Sequence, residues 1–248
     1  MRKTCRVDNE QRRVVRAAFV SGDGALVVAT LADADFDRCA QQVGDALLSA
    51  VEHNADGARQ LAQRCVVVLR ARCWDGDDEL AAQLEAALDP SLATPDRAAL
   101  RVDLDDVADI LDSSNGEGGW INLATGETWP ADTSDSYNEA DNDEFDNDRP
   151  DFDDPDFWLT VPALGGRSAY RDMAQFTVGV TDLQLAGQLA VAIDGCGAFR
   201  RFRNVVQTSE RVEDAWYQFS NERRRGRARS WLARAGYRPE QRVYRPPA

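Results

Sequence analysis

Apolar residues recur three and four apart through most of the first 90 residues, and that period restricts this part of the chain to helices with one buried face. Phe36, Cys39, Ala40, Val43, Leu47, Ala50 and Val51 share a face of a helix predicted from about Asp35 to His53. Ala58, Leu61, Ala62, Cys65 and Leu69 share a face of the next, and Asn54-Ala55-Asp56-Gly57 is the turn between them. An earlier helix carries Val14, Val15, Ala18 and Phe19 and stops before Ser21-Gly22-Asp23-Gly24. A later one carries Leu80, Ala81, Leu84 and Leu88 and stops at Pro90. Short successive connections imply antiparallel neighbours, so residues 1–95 are read as a helical bundle.

Beyond Pro95 the period changes. Asp103 is the expected N-cap of a short helix bearing Leu104, Val107, Ala108 and Leu111. Trp120-Ile121-Asn122-Leu123 and Glu127-Thr128-Trp129 flank Ala124-Thr125-Gly126, the spacing of a hairpin with a left-handed glycine. Phe157 to Val161 alternates as a third strand. Helices then return: one capped by Ser168, one opened by Thr181 or Asp182 and closed at Asp194-Gly195, and one begun near Gly197 with Phe199, Phe202 and Val206 inward. A last long helix is capped by Ser209 and stopped at Gly236. The expected fold is mainly α with a small antiparallel sheet, an N-terminal bundle followed by an α+β domain over residues 96–248.

Charge is partitioned along the same line. Asp103 to Phe157 holds 19 acids against the single Arg149, whereas Trp158 to Ala248 holds 8 acids against 15 arginines; the whole chain is at -14. Ala131 to Asp156 alone carries 12 acids. Repulsion at that density, with few large apolar groups to offset ordering entropy, predicts a mobile loop dispensable for folding. Tethered near the arginines, it is expected to shield them from polyanions.

Several function classes are excluded by what is missing. The longest apolar runs fall far short of the roughly 20 residues of a membrane span, and acidic and basic residues follow Arg2 and Lys3 at once where a leader needs an apolar core. A cytoplasmic location follows. Five widely spaced cysteines without a C-x-x-C pair predict reduced, mostly buried thiols and no zinc site. Asp75-Gly76-Asp77-Asp78-Glu79 lacks the glycine and distal glutamate of a calcium loop and reads as a turn with a helix start. His53, the one histidine, stands at a helix end without a G-x-S-x-G partner, and no phosphate-binding loop is present. No catalytic residue, metal or cofactor is assigned, and the chain reads as a non-catalytic binding or regulatory protein.

Two arginine groups are the candidate sites for an anion or partner. Arg200, Arg201 and Arg203 lie in Gly195-Cys196-Gly197-Ala198-Phe199-Arg200-Arg201-Phe202-Arg203, where Phe199 and Phe202 share a core face and Arg200 and Arg203 the outer one. Arg223, Arg224, Arg225, Arg227 and Arg229 interrupt the apolar stripe of the last helix. The structural alternatives are carboxylate pairing for the first group and a solvated helix surface for the second. An unknown protein or a polyanion is the expected partner. A nucleic-acid-associated protein and an enzyme with a carboxylate-centred site remain the competing readings.

Five blocks in order, Asp103 to Ala108, Thr125 to Trp129, Ser168 to Met173, Gly197 to Phe202, and Trp216 to Phe219 with Ala228 to Leu232, resemble an uncharacterised bacterial family of unknown function marked by a G-x-G-A-F-R-R-F block. Trp74-Asp75-Gly76-Asp77-Asp78-Glu79-Leu80 is similar to a branch with an N-terminal helical extension. Cys196 stands between the glycines where the resemblance implies a basic residue.

Overall fold

The structure, a computed structural model, describes residues 5–6, 9–92, 95–113, 116–131 and 150–240. The fold is mainly α with a small antiparallel three-stranded sheet. The chain opens with β1 (Cys5–Arg6), α1 (Asn9–Val20), α2 (Gly24–Leu31) and β2 (Ala34–Asp35), β1 and β2 pairing in parallel. Helix α2 was not expected, because its sequence GALVVATL shows no polar alternation. It forms because the Asp23 carboxylate accepts the Leu26 N–H at 2.9 Å and because Val27 and Leu31 are buried. Then come α3 (Ala40–Glu52), α4 (Ala58–Arg72) and α5 (Asp77–Leu88), whose apolar faces meet those of α1 and α2 in one core from Val15 to Leu84. Helix α3 starts at Ala40, later than its apolar period suggests, since β2 takes Ala34 and Asp35.

The next elements are β3 (Ala98–Arg101), α6 (Leu104–Leu111), β4 (Gly119–Asn122), β5 (Thr128–Pro130) and β6 (Trp158–Val161). Asp103 caps α6 through the Asp105 N–H at 2.8 Å, and Gly126 turns the hairpin at φ 70°. The antiparallel sheet has the order β5-β4-β6, with Trp120 opposite both Trp129 and Thr160. One face presents Ile121, Leu159 and Val161 to α6 in a second core. On the other, Phe152 stacks on Trp120 at 4.3 Å and meets Trp158 edge-on. The end of the acidic stretch is thus packed where a mobile loop was expected, because Phe152 supplies the apolar surface its neighbours lack. Residues 132–149 of that expected loop lie outside the described residues.

Four helices and a strand complete the chain: α7 (Arg167–Gly179), α8 (Leu183–Ile193), α9 (Ala198–Val206), α10 (Glu210–Arg234) and β7 (Tyr237–Glu240). Strand β7 pairs in parallel with β3. Ser168 is buried inside α7, whose N-cap is Gly166; Asp182 caps α8 as expected. Met173, Leu189, Phe202 and Val206 form a third core against Trp216. Phe199, expected inside, is 50% exposed, because the turn before α9 points Ala198 and Phe202 inward instead.

Helix α10 joins all three regions. Its first half packs in the third core, its second half in the core under the sheet, and its middle against α3 and α5. Glycine in mid-helix costs about 1 kcal/mol against alanine, so Gly226 needs a reason. A Cβ there would run into the Asp75 carbonyl oxygen, far inside the 3.0 Å that real Cβ atoms keep. Gly226 lets α10 touch the turn between α4 and α5, backbone to backbone. Gly226→Ala is therefore expected to lose about 1–2 kcal/mol net in urea unfolding, overpacking outweighing the helix gain; a more stable variant would contradict this contact.

Candidate functional site

The arginines in the middle of α10, Arg223 to Arg229, turn inward, because the helix is surrounded there on three sides by elements that present acids. Toward the bundle, Arg229 is 1% exposed; it donates to Gln41 and Gln83, each at 2.9 Å, and to Asp45. Arg225 reaches Asp45 at 2.8 Å and Asp105 at 2.7 Å. Toward α6, Arg224 pairs with Asp109 and with Asp112 at 2.9 Å. Toward α7, the buried Asp172 accepts from Arg223 at 3.1 Å and from Arg227 at 2.6 Å, and Arg227 also reaches Asp112. Arg223 additionally lies over the Trp74 ring. The solvated helix surface read from the sequence is not what forms: one helix spreads its charges around its circumference, but here almost the whole circumference is covered.

Glu222 extends the network into the bundle. Helix α3 has no capping side chain of its own, since Cys39 occupies the N-cap; the Glu222 carboxylate accepts the Gln41 and Gln42 N–H groups at 2.8 and 3.1 Å instead. Arg72, at the end of α4, bonds Asp77 through two nitrogens and Glu222 at 3.1 Å. Burial alone would lower the Arg72 pKa, but the hydrogen bond to Asp77 and the Glu222 charge hold it above its ordinary value. Burial raises Glu222, opposed by Arg72 and the two backbone donors.

That raised value has a sign. A carboxyl higher in the folded than in the unfolded chain contributes stability below its unfolded pKa and loses it as pH rises through the folded one. Glu222→Gln is therefore expected to lose less stability relative to the parent at pH 7 than at pH 4, measured by urea titration at both; a loss that grows toward pH 7 would contradict the assignment.

Arg201 serves the turn before α9. Gly195 and Gly197, at φ 74° and 75°, fold that turn, and the Arg201 guanidinium donates to the carbonyl oxygens of Ala192, Asp194 and Cys196. It closes the C-terminal end of α8, where a cation is favoured. Arg200 and Arg203 are exposed. Between α8 and α9 lies a shallow, open groove of about 850 Å³ whose walls include Leu183, Gln184, Gln188, Val191, Arg201 and Asn204.

Residues 104–243 match an uncharacterised protein family, and that span is more than half of the chain. The chain belongs to UPF0158. The UPF0158 match takes in α6, the sheet and α7 to α10, while the bundle core precedes it. No curated protein and no solved structure matches the chain. Within the UPF0158 region, the structure gathers Arg223, Arg224, Arg225, Arg227 and Arg229 into one network, ties the Arg201 side chain to the turn before α9, and leaves Arg200 and Arg203 outside.

Sequence reasoning missed the acids and amides that the α10 arginines meet. The signal available was Gly226 within the arginine run, a mid-helix glycine that helix propensity does not explain; Gly76, in the acidic turn it touches, is already required by its left-handed φ of 79°.

Other groups fall into place around the site. No group of three or more metal-ligating side chains converges among the described residues. Cys39 and Cys65 are buried, and burial, joined by the Glu222 charge, pushes both thiols far above the ordinary range. Cys73 and Cys196 are exposed, against the expectation of mostly buried thiols. His53 ends α3, its Nδ1 2.8 Å from the Ser49 carbonyl oxygen. Among the described residues, no helix is long and apolar enough to cross a membrane.

Proposed function

We propose that this UPF0158 protein is a non-catalytic binding or regulatory protein of the cytoplasm, and that it engages a partner through the outer face of α8 and α9. The α10 arginines, in this reading, are the internal clamp that holds the N-terminal bundle as a fixed extension of the family region. The supporting observation is the open groove between α8 and α9: Leu183 and Val191 are 88% and 75% exposed on its wall. Exposed apolar residues scattered singly are ordinary, but apolar side chains gathered along a groove mark interaction surfaces.

The test is affinity capture from a lysate of the native cell, nuclease-treated, with the parent chain and with Val191→Asp as bait. A protein retained after nuclease and lost with Val191→Asp is the expected result. Capture that depends on nucleic acid, or that ignores the substitution, would overturn this reading.

A further inference from the structure

We propose that the edge where α7 meets α9 binds single-stranded nucleic acid, on a surface separate from the α8–α9 groove and independent of the docking reading above. The two helices touch at their starts: the Phe199 ring lies against Gly166, 3.5 Å from where a Cβ on that glycine would stand. Arg167 follows Gly166 and Arg200 follows Phe199 in the chain, so each helix places a guanidinium next to the contact. Arg171 lies one turn beyond Arg167, and Arg203 one turn beyond Phe199. All four arginines are exposed, and among the described residues none makes an ion pair or donates a side-chain hydrogen bond.

The chain holds 43 acids against 29 basic residues, and the middle of α10 shows how readily its arginines meet carboxylates. These four do not, because their own helices offer no acid outside. Asp172 is the one acid within α7 or α9, and it is buried between Arg223 and Arg227. Asp194, in the turn before α9, is paired with none of the four. Two aromatic rings stand open beside the cations. Phe199 is 50% exposed, and Tyr170, one turn after Gly166, is 43% exposed with its hydroxyl donating to the Ile193 carbonyl oxygen at 3.2 Å. Rings next to unpaired guanidinium groups suit a strand whose bases are free to stack and whose phosphates attract arginine. A duplex keeps its base faces inside and would use the cations alone. The net charge of -14 repels such a ligand at a distance, but beyond about 8 Å in physiological salt that repulsion is largely screened.

Fluorescence anisotropy of the full chain with a labelled oligouridine of about 12 nucleotides tests this, with heparin as a polyanion that has no bases. Binding of the oligouridine is expected in about 50 mM salt, and four phosphate contacts give it a slope of about -3 in log affinity against log salt. Phe199→Ala is expected to weaken it about five- to tenfold, and Phe199→Tyr, which keeps the ring, less than about twofold. Arg167→Glu and Arg200→Glu should each weaken it about threefold or more, whereas Arg13→Glu, the same charge change at an exposed residue of α1, should leave it within about twofold. These arginines are exposed, so circular dichroism of their variants should match the parent. Heparin is expected to bind but to ignore Phe199→Ala. No oligouridine binding at that salt overturns the proposal. Arg13→Glu as damaging as Arg200→Glu overturns the local site, because net charge alone would then account for the binding. Equal losses of heparin and oligouridine with Phe199→Ala, or no loss of either, remove stacking and overturn the nucleic-acid class.

Discussion

Asp172→Ala is expected to destabilise the folded chain by about 3–5 kcal/mol, the cost typical of removing one partner from a buried ion pair. The Asp172 side chain is 2% exposed and is shared by Arg223 and Arg227, whose own side chains are 10% and 9% exposed. Taking the carboxylate away strands two guanidinium groups at once. Each keeps a second acid, Asp75 at 3.5 Å for Arg223 and Asp112 at 3.0 Å for Arg227, so the loss stops short of two full ion pairs. Asp172→Asn should fall between, because an amide oxygen still accepts one hydrogen bond. Asp78→Ala is the contrast: its pair with Arg70 is largely open to water, and its removal should cost under about 1 kcal/mol. Urea unfolding of the three variants measures the difference. A cost below about 1 kcal/mol for Asp172→Ala would mean that the α10 arginines are hydrated and not clamped.

Phe202→Ala is expected to cost about 3–5 kcal/mol, whereas Phe199→Ala should cost roughly half of that or less. Phe202 is 2% exposed and packs edge-on against Trp216 at 4.8 Å and Phe176 at 6.2 Å, so truncation leaves a cavity among large rings that cannot close over it. Phe199, at 50% exposure, leaves water to fill most of the space it vacates. The two phenylalanines look equivalent in the string AFRRF, and only the turn at Gly195 and Gly197 sets which one faces inward. Equal losses for the two variants, read from thermal or urea transitions, would contradict that orientation.

The limits of the sequence lie in this kind of distinction. The bundle was legible because Val43, Leu47 and Val51, or Leu61, Cys65 and Leu69, keep a helical period that water enforces. The caps at Asp103 and Asp182 and the left-handed Gly126 were legible because each is a local contact within a few residues. Helix α2 was hidden in an apolar run without a period. The pairing of β3 with β7 joins residues far apart in the chain, Ala98–Arg101 with Tyr237–Glu240, which no local pattern marks. The burial of the α10 arginines was hidden for the same reason. Arg223 to Arg229 read as a surface because arginine is ordinarily exposed, and the acids that reverse this come from Asp45, Asp105, Asp112 and Asp172 on three separate elements. Arg200 and Arg203 stayed outside as their helical positions suggest.

The central claim is that Arg223, Arg225, Arg227 and Arg229 of α10 are internal. Phenylglyoxal modification of the folded chain, followed by mass spectrometry of the time course, tests it directly. The account predicts that Arg200 and Arg203 react at the rate of a free guanidinium. Arg223, Arg225, Arg227 and Arg229, by contrast, should remain protected until the chain is unfolded in urea. Modification of those four at the same rate as Arg200 in the folded protein would contradict the clamp.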